Sequence, residues 1–205
     1  MQTAIIHYLS KDPKLKKLIE TIDINHPNER GDLYSSLIRA IVGQQLSVKA
    51  AATIYGRFID LFEDGYAYPA TLLEMDLPTL RAVGLSRQKA SYIQNIAAFF
   101  TEHKLENKDW ETMTDEEIIE FLTPIKGVGK WTVEMILMFT LHRPDVFPVD
   151  DLGIQNAMRS LYEIEETGKA FKTKMKEIAT FWQPYRSYAC YLLWRYKDQM
   201  GKMVD

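Results

Sequence analysis

Cysteine is nearly absent from this chain, and its scarcity excludes several kinds of site. Cys190 is the single cysteine in 205 residues, which excludes an intramolecular disulfide, a four-cysteine zinc site and a four-cysteine iron–sulfur cluster. The four histidines show no pairing at the spacing of metal ligands, so the sequence indicates no metal centre. A lone cysteine also fits a reducing compartment, and we expect a cytoplasmic protein.

Long apolar runs and an excess of basic residues are missing as well. No run approaches the roughly 20 apolar residues of a membrane span, and residues 1–25 lack a secretory signal pattern, so we expect no membrane association. Lysine and arginine number 25 against 28 acidic residues, a net charge of −3. A nucleic-acid-binding role would therefore need basic groups that are locally concentrated.

What the chain does contain is apolar residues at helical spacing along most of its length. No convincing alternating strand pattern extends beyond about four residues, which predicts an all-α fold. Predicted helices cover residues 33–42, 47–62, 114–122, 130–141, 151–161, 169–181 and 185–197. The lysine-rich run 11–17 is expected to be a solvated helical face. We predict two helical lobes, about 35–130 and 1–34 plus 131–205.

A Gly-Val-Gly turn with a lysine on each side precedes one of these helices. Gly127 and Gly129 allow backbone conformations that are closed to residues with a Cβ. The amide groups of this turn and of the first helical turn would point outward at the positive end of the helix, where they can bind an anion. Lys126 and Lys130 add attraction for phosphate without base specificity. Taken alone, the pattern is also typical of a tight turn with solvated lysines.

Two adjacent aspartates stand at the predicted start of another helix. Pro148 fixes one backbone angle ahead of Asp150 and Asp151, and apolar residues at helical spacing follow them. An aspartate in this position interacts with the positive end of the helix, which favours its ionised form. One of the two is expected to be a plain helix cap, and this pattern does not say which.

Together these segments resemble the helix-hairpin-helix DNA glycosylase superfamily. Residues 125–132, Ile-Lys-Gly-Val-Gly-Lys-Trp-Thr, are similar to its hairpin, and residues 147–151, Phe-Pro-Val-Asp-Asp, are similar to its catalytic loop. The likeness is greatest to the 3-methyladenine DNA glycosylase II branch, in a compact form without the N-terminal β-rich domain of longer members. It implies two helical lobes with a DNA-binding and active-site cleft between them.

The resemblance implies a monofunctional DNA glycosylase of base excision repair. Such an enzyme flips alkylated purines, of the 3-methyladenine or 7-methylguanine type, out of duplex DNA and hydrolyses the N-glycosidic bond. The implied catalytic residue is Asp151, with Asp150 as the alternative because loop length varies across the superfamily. One carboxylate is enough, because a cationic base leaves readily without being protonated. The carboxylate has only to stabilise the developing sugar cation and to position a water. No cofactor or metal is required, and a monovalent cation at the hairpin carbonyls is left open.

Trp131 stands where bifunctional relatives carry a nucleophilic lysine. Lys130 lies one residue earlier, about 100° around a helix, and is expected to face elsewhere. The resemblance therefore implies base release without strand cutting. It assigns the base pocket to Trp131, Trp194 and Met135, in which an indole can stack on an electron-deficient base. Met135 replaces an aromatic residue of other members, which leaves the substrate range open, and core packing is the alternative role for each tryptophan.

The same resemblance supplies the remaining DNA contacts. Gln45 is expected to fill the gap that a flipped base leaves in the duplex, with Leu46 as the alternative. Glutamines that merely cap and solvate a turn are the competing interpretation. The hairpin contacts are assigned to Lys126, Gly127, Val128, Gly129, Lys130 and Thr132. The expected partner is double-stranded DNA with alkylated bases, bound by a monomer at the nucleoid.

Some assignments have more than one interpretation. Arg186 could contact a phosphate or brace the protein, and segment 83–90 is expected to be a turn and helix cap that could also touch a phosphate. Two other functions are open for the whole chain. One is a non-catalytic helix-hairpin-helix DNA-binding module, and the other is a glycosylase for oxidised or mismatched bases. Trp131 and the missing cluster cysteines disfavour the second.

Overall fold

The computed structural model describes residues 2–22 and 32–202. Within these ranges the chain forms twelve α-helices, one 3-10 turn at Trp110–Thr112 and no β-strand, which confirms the predicted all-α fold. The helices are α1 (Gln2–Leu9), α2 (Pro13–Ile19), α3 (Leu33–Gly43), α4 (Val48–Ile59), α5 (Pro69–Glu74), α6 (Leu77–Ala82), α7 (Arg87–Glu102), α8 (Asp115–Leu122), α9 (Lys130–Phe139), α10 (Leu152–Tyr162), α11 (Gly168–Thr180) and α12 (Arg186–Lys202). None of these helices is long and apolar enough to cross a membrane.

Side-chain caps determine where several helices begin. Ser47 accepts a hydrogen bond from the amide of Ala50, so α4 starts where the sequence predicts. Ser86 accepts one from the amide of Lys89 and opens α7, in the segment 83–90 where a turn and helix cap are expected. Thr114 opens α8 with a reciprocal capping box. Helix ends are less well predicted. Helix α4 ends at Ile59 and α9 at Phe139, before the predicted residues 62 and 141.

The lysine-rich run 11–17 forms α2 and the turn before it. The Oδ1 atom of Asp12 accepts hydrogen bonds from the amides of Lys14 (2.8 Å) and Leu15 (3.2 Å), which caps the helix. Leu15 is buried in the core, whereas Lys16 and Lys17 are exposed. The run therefore has a solvated face, as expected, and an apolar face that packs inward.

The chain divides into two compact units, a middle unit (Glu29–Leu141) and a terminal unit (Met1–Asn28 with His142–Asp205). In the middle unit, α7 packs against α3, α5 and α6, and α9 packs against α3 and α8. Fully buried residues of this unit include Leu37, Ile41, Ile93, Ile96 and Leu137. Because α9 packs within the middle unit, the division falls after residue 141, whereas the predicted lobes divide after residue 130.

In the terminal unit, α12 packs against α10 and α2. Asp12 joins distant segments of this unit, because its Oδ2 atom accepts hydrogen bonds from the Tyr162 hydroxyl (2.7 Å) and the Trp182 indole (3.0 Å). Trp182 is only 1% exposed. These contacts tie the start of α2 to the end of α10 and to the segment that precedes α12.

Candidate functional site

The hairpin, residues 123–129, joins α8 to α9 in the middle unit. Gly127 has φ +105°, in the left-handed region that favours glycine. Ile125 and Val128 on either side of it are buried, and the Val128 amide donates to the Ile125 carbonyl at 2.9 Å. Gly129 is the N-cap of α9 and has no side chain with which to cap it. The hairpin is thus anchored by its apolar residues and presents the amide end of α9.

Helix α7 and the end of α3 support the hairpin from behind. A Cβ on Gly127 would collide with the ring of Tyr92 on α7. The side-chain amide of Asn95, one turn further along α7, donates to the Lys126 carbonyl at 3.4 Å. The side-chain amide of Gln44 donates to the Gly127 carbonyl, also at 3.4 Å. The hairpin backbone is therefore held on its inner side by three side chains of the same unit.

Charged and buried side chains alternate along the outer part of the hairpin. Lys126 and Lys130 are exposed, and Lys130 lies 3.6 Å from the buried carboxylate of Glu134 on the next turn of α9. Val128 and Thr132 are each only 4% exposed. Since the Val128 amide already donates to the Ile125 carbonyl, Val128 serves to anchor the hairpin, and any part that Thr132 plays in anion binding is confined to its backbone amide. The two lysines can reach a phosphate with their side chains.

Replacing Gly127 with alanine is expected to disrupt the hairpin. The new Cβ would force a strained backbone conformation and displace Tyr92, lowering the free energy of unfolding by about 2 kcal/mol. Gly129→Ala is the matched control, because Gly129 has φ −95° and a Cβ there meets nothing within 4 Å; its cost is expected to stay below about 1 kcal/mol. Denaturant unfolding measures both changes, and equal losses in the two variants would contradict this description of the hairpin.

Helix α9 places Trp131 and Met135 on successive turns. Trp131 is 45% exposed, which is unusual for the largest apolar side chain, and Met135 is half-buried. The structure thus leaves an indole surface accessible immediately after the hairpin. It also shows that Trp131 is not simply a core residue.

The turn between α3 and α4 carries the two residues expected to enter a DNA duplex. Gln45 has φ +58°, a left-handed conformation that is uncommon for a residue with a Cβ. Gln45 is exposed, and Leu46 is 38% exposed. The turn therefore presents both side chains to solvent, and it does not by itself select one of them.

Asp151 is the N-cap of α10 in the terminal unit. Its Oδ1 atom accepts two hydrogen bonds of 2.8 Å, one from the Ile154 amide and one from the Trp194 indole nitrogen on α12. The residue is 8% exposed. A carboxylate held by two N–H donors has a fixed orientation, and the cap and the second tryptophan predicted from the sequence are brought together here.

Asp150 has a different environment. It is exposed, and its Oδ1 atom forms an ion pair with Lys172 Nζ at 2.7 Å. The side chain of Asp150 is 53% exposed and that of Lys172 is 46% exposed. The two aspartates, which the sequence pattern does not distinguish, are therefore distinct in the structure. Asp151 is buried and held by neutral donors, whereas Asp150 lies at the surface beside a cation.

Gly153 is a constraint that the sequence interpretation missed. A Cβ at this position would lie 2.9 Å from Cδ1 of Trp194 and 3.1 Å from both Trp194 Nε1 and Asp151 Oδ1. Both distances are closer than ordinary van der Waals contact. Glycine in the first turn of α10 therefore makes room for the hydrogen bond between Trp194 and Asp151.

The loop that leads to Asp151 is braced by the start of α12. Arg186 forms a bidentate ion pair with Asp145, at 2.7 Å and 2.9 Å, and also donates to the Asp145 carbonyl at 3.0 Å. The buried Ser187 accepts from the Val146 amide and donates to the Arg143 carbonyl. Of the two roles open for Arg186, the geometry gives it the bracing one.

In residues 2–22 and 32–202, no group of three or more His, Cys, Asp or Glu side chains could hold a metal ion.

Comparisons with known proteins find similar sequences and similar structures. A family model described as HhH-GPD superfamily base excision DNA repair protein matches residues 38–186. DNA-3-methyladenine glycosylase 1 of Schizosaccharomyces pombe is 37% identical over 198 residues, which is 94% of this chain and 86% of that protein.

Two solved structures are similar over nearly their whole length. The 3-methyladenine DNA glycosylase of Schizosaccharomyces pombe, in complex with abasic DNA, has a TM-score of 0.81 at 36% identity. The match covers 94% of this chain and 95% of that protein chain. The DNA-3-methyladenine glycosidase of Bacillus halodurans has a TM-score of 0.83 at 33% identity. This match covers 95% of this chain and 89% of that protein chain.

Proposed function

The chain belongs to the HhH-GPD superfamily of base excision DNA repair proteins, and from this premise we propose that it is a monofunctional DNA glycosylase for alkylated purines. It acts as a monomer on double-stranded DNA and releases bases of the 3-methyladenine and 7-methylguanine type. The observation that carries the proposal is Asp151, buried at the start of α10 and held by the Ile154 amide and the Trp194 indole. Relatives named as DNA-3-methyladenine glycosylases support the substrate class.

Asp151 serves the chemistry through its negative charge. When the glycosidic bond breaks, its electron pair moves to the base, and a cationic alkylated purine leaves as a neutral molecule. Positive charge then develops on the sugar, where a fixed carboxylate stabilises it without having to reorganise. A water oxygen bonds to the sugar carbon C1′ and one proton of that water passes to solvent, which leaves an abasic site. Hydrogen bonds from two N–H groups keep the carboxylate in one orientation for this step.

Trp131 explains why we propose base release alone. A strand-cutting glycosylase needs an amine that forms a Schiff base with the sugar, and an indole cannot do so. The exposed face of the indole instead suits stacking on a base that has left the duplex, most favourably on an electron-poor, positively charged purine. The backbone of the hairpin and the exposed Lys126 and Lys130 suit a phosphate of the DNA backbone. A relative solved with abasic DNA supports DNA as the partner.

Truncation of Trp131 tests the stacking role. Stacking of a base on an aromatic ring contributes about 1–3 kcal/mol, so Trp131→Ala is expected to lower the single-turnover rate of 7-methylguanine release about tenfold or more. Because the ring is 45% exposed, the loss in stability should be about 1 kcal/mol or less. Phe181→Ala, which removes an aromatic ring that is 79% exposed, is the control and should retain the parent rate. Equal rates for the parent and Trp131→Ala would remove the stacking role.

The proposed function is tested by identifying the bases that the protein releases. Duplex DNA treated with a methylating agent is incubated with the chain, and the free bases are separated by chromatography. We expect 3-methyladenine and 7-methylguanine, the bases that carry positive charge in DNA. Salt-dependent binding to the same DNA without release of any base would show a non-catalytic DNA-binding module instead. No release from methylated DNA, together with release from a second duplex that contains oxidised bases, would assign the chain to another glycosylase class.

A further inference from the structure

Lys89, in the first turn of α7, makes contacts that the proposed chemistry does not use. Its Nζ atom donates to the carbonyls of Val42 (2.8 Å) and Gln44 (2.6 Å). These carbonyls belong to the last turn of α3 and the residue that follows it, where the helix leaves its acceptors without internal partners. The ammonium group therefore caps the negative end of α3. The side chain is half-buried, and burial lowers the pKa of Lys89.

The two carbonyls belong to the turn that presents Gln45 and Leu46. Gln44 leaves the helical conformation at φ −51° and ψ 130°, and Gln45 then takes the left-handed conformation. The Leu46 amide closes the turn on the Gly43 carbonyl at 3.2 Å. The left-handed conformation is disfavoured for a residue with a Cβ, so surrounding contacts have to hold it. Lys89 supplies two of them on the carbonyls immediately before Gln45.

The same helix also holds the hairpin. Lys89, Tyr92 and Asn95 follow one another at three-residue spacing along α7, and the last two contact Gly127 and Lys126. Gln44, whose carbonyl Lys89 binds, donates its side-chain amide to the Gly127 carbonyl. One face of α7 thus fixes the turn that carries Gln45 relative to the hairpin, entirely within the middle unit.

We propose that Lys89 is a positioning residue for base flipping, which holds residues 44–46 in the conformation that enters the duplex. The inference rests on the proposed function. Lys89 acts through the turn and not on the DNA phosphates, because two of the three ammonium donors are already directed at backbone carbonyls. The residue that fills the duplex is therefore supported by a lysine more than 40 positions away in the sequence.

A double-mutant cycle tests this role. The single-turnover rate of base release is measured on a duplex with one 7-methylguanine, for the parent and for Lys89→Met, each with and without the paired change Gln45→Ala and Leu46→Ala. We expect Lys89→Met to lower the rate about tenfold in the parent but less than about twofold once Gln45 and Leu46 are truncated, since coupled residues are non-additive. A tenfold loss in both backgrounds, or no loss in either, overturns the proposal.

Salt dependence separates positioning from a direct phosphate contact. Loss of a phosphate contact reduces the slope of log affinity against log salt by about 1, whereas loss of a positioning residue leaves this slope as in the parent. Lys89→Gln, which keeps N–H donors but no charge, provides a second variant if Lys89→Met does not fold. We expect the rate of base release by Lys89→Gln to lie between the rates of the parent and of Lys89→Met. A reduced salt slope, or no loss of rate in either variant, overturns the proposal. If the parent releases no base at all, the proposed function fails and this role fails with it.

Discussion

Replacing Asp151 with asparagine is expected to lower the rate of base release about 10²–10³-fold, the usual effect of removing a group that stabilises transition-state charge. Asparagine keeps an oxygen that can accept hydrogen bonds from the Ile154 amide and the Trp194 indole. It is also as good a helix cap as aspartate. The substitution therefore removes the negative charge while leaving the fold intact, and thermal unfolding should be nearly unchanged.

Asp150→Asn provides the matched control. It removes one carboxylate one residue away, where the carboxylate is exposed and paired with Lys172. An exposed ion pair contributes about 0–1 kcal/mol to stability, so this variant should unfold and release bases almost as the parent does. The opposite result, with Asp150→Asn inactive and Asp151→Asn active, would transfer the catalytic role to Asp150.

Gly153→Ala is expected to have the second largest effect on activity. The added Cβ would lie 2.9 Å from the Trp194 ring and 3.1 Å from Asp151 Oδ1, so one or both side chains must move. A displacement of about 1 Å at a catalytic group costs on the order of 100-fold in rate. We therefore predict about a 100-fold slower release of 7-methylguanine, measured under single-turnover conditions.

Gly56→Ala is the control for this substitution. Gly56 also lies inside a helix, α4, and a Cβ there meets nothing within 4 Å. Both substitutions gain helix propensity, worth about 0.5–1 kcal/mol, but only Gly153→Ala disturbs the pair of Asp151 and Trp194. An unchanged rate in Gly153→Ala would show that the hydrogen bond between these residues has no part in the reaction.

The features that the sequence predicts well depend on residues a few positions apart. A serine or threonine cap acts within three residues, and a capping box is readable as Thr114 and Glu117. The hairpin can likewise be predicted from neighbouring residues. Its turn requires a left-handed backbone conformation at Gly127, and the Gly-Val-Gly string places a glycine, which adopts that conformation readily, at this position. For this reason the start of α9 at Lys130 agrees with the prediction.

The features that the sequence does not predict depend on distant pairs. The resemblance favours Asp151, but the physical distinction from Asp150 comes from Trp194, 43 positions later, and Lys172, 22 positions later. The role of Lys89 depends on carbonyls 45 and 47 positions earlier. Such contacts leave no local pattern. A glycine two residues after a capping aspartate was the only sequence signal for the close approach at Gly153.

The most direct test follows a single 7-methylguanine in an end-labelled duplex. After incubation with the chain, one portion is analysed directly on a denaturing gel and another after treatment with an endonuclease specific for abasic sites. We predict an intact strand in the first portion and cleavage at the lesion in the second, with no adduct trapped by borohydride and almost no cleavage when Asp151→Asn replaces the parent. A strand that is cut without the endonuclease, or abasic sites formed equally well by Asp151→Asn, would contradict hydrolysis by a single carboxylate.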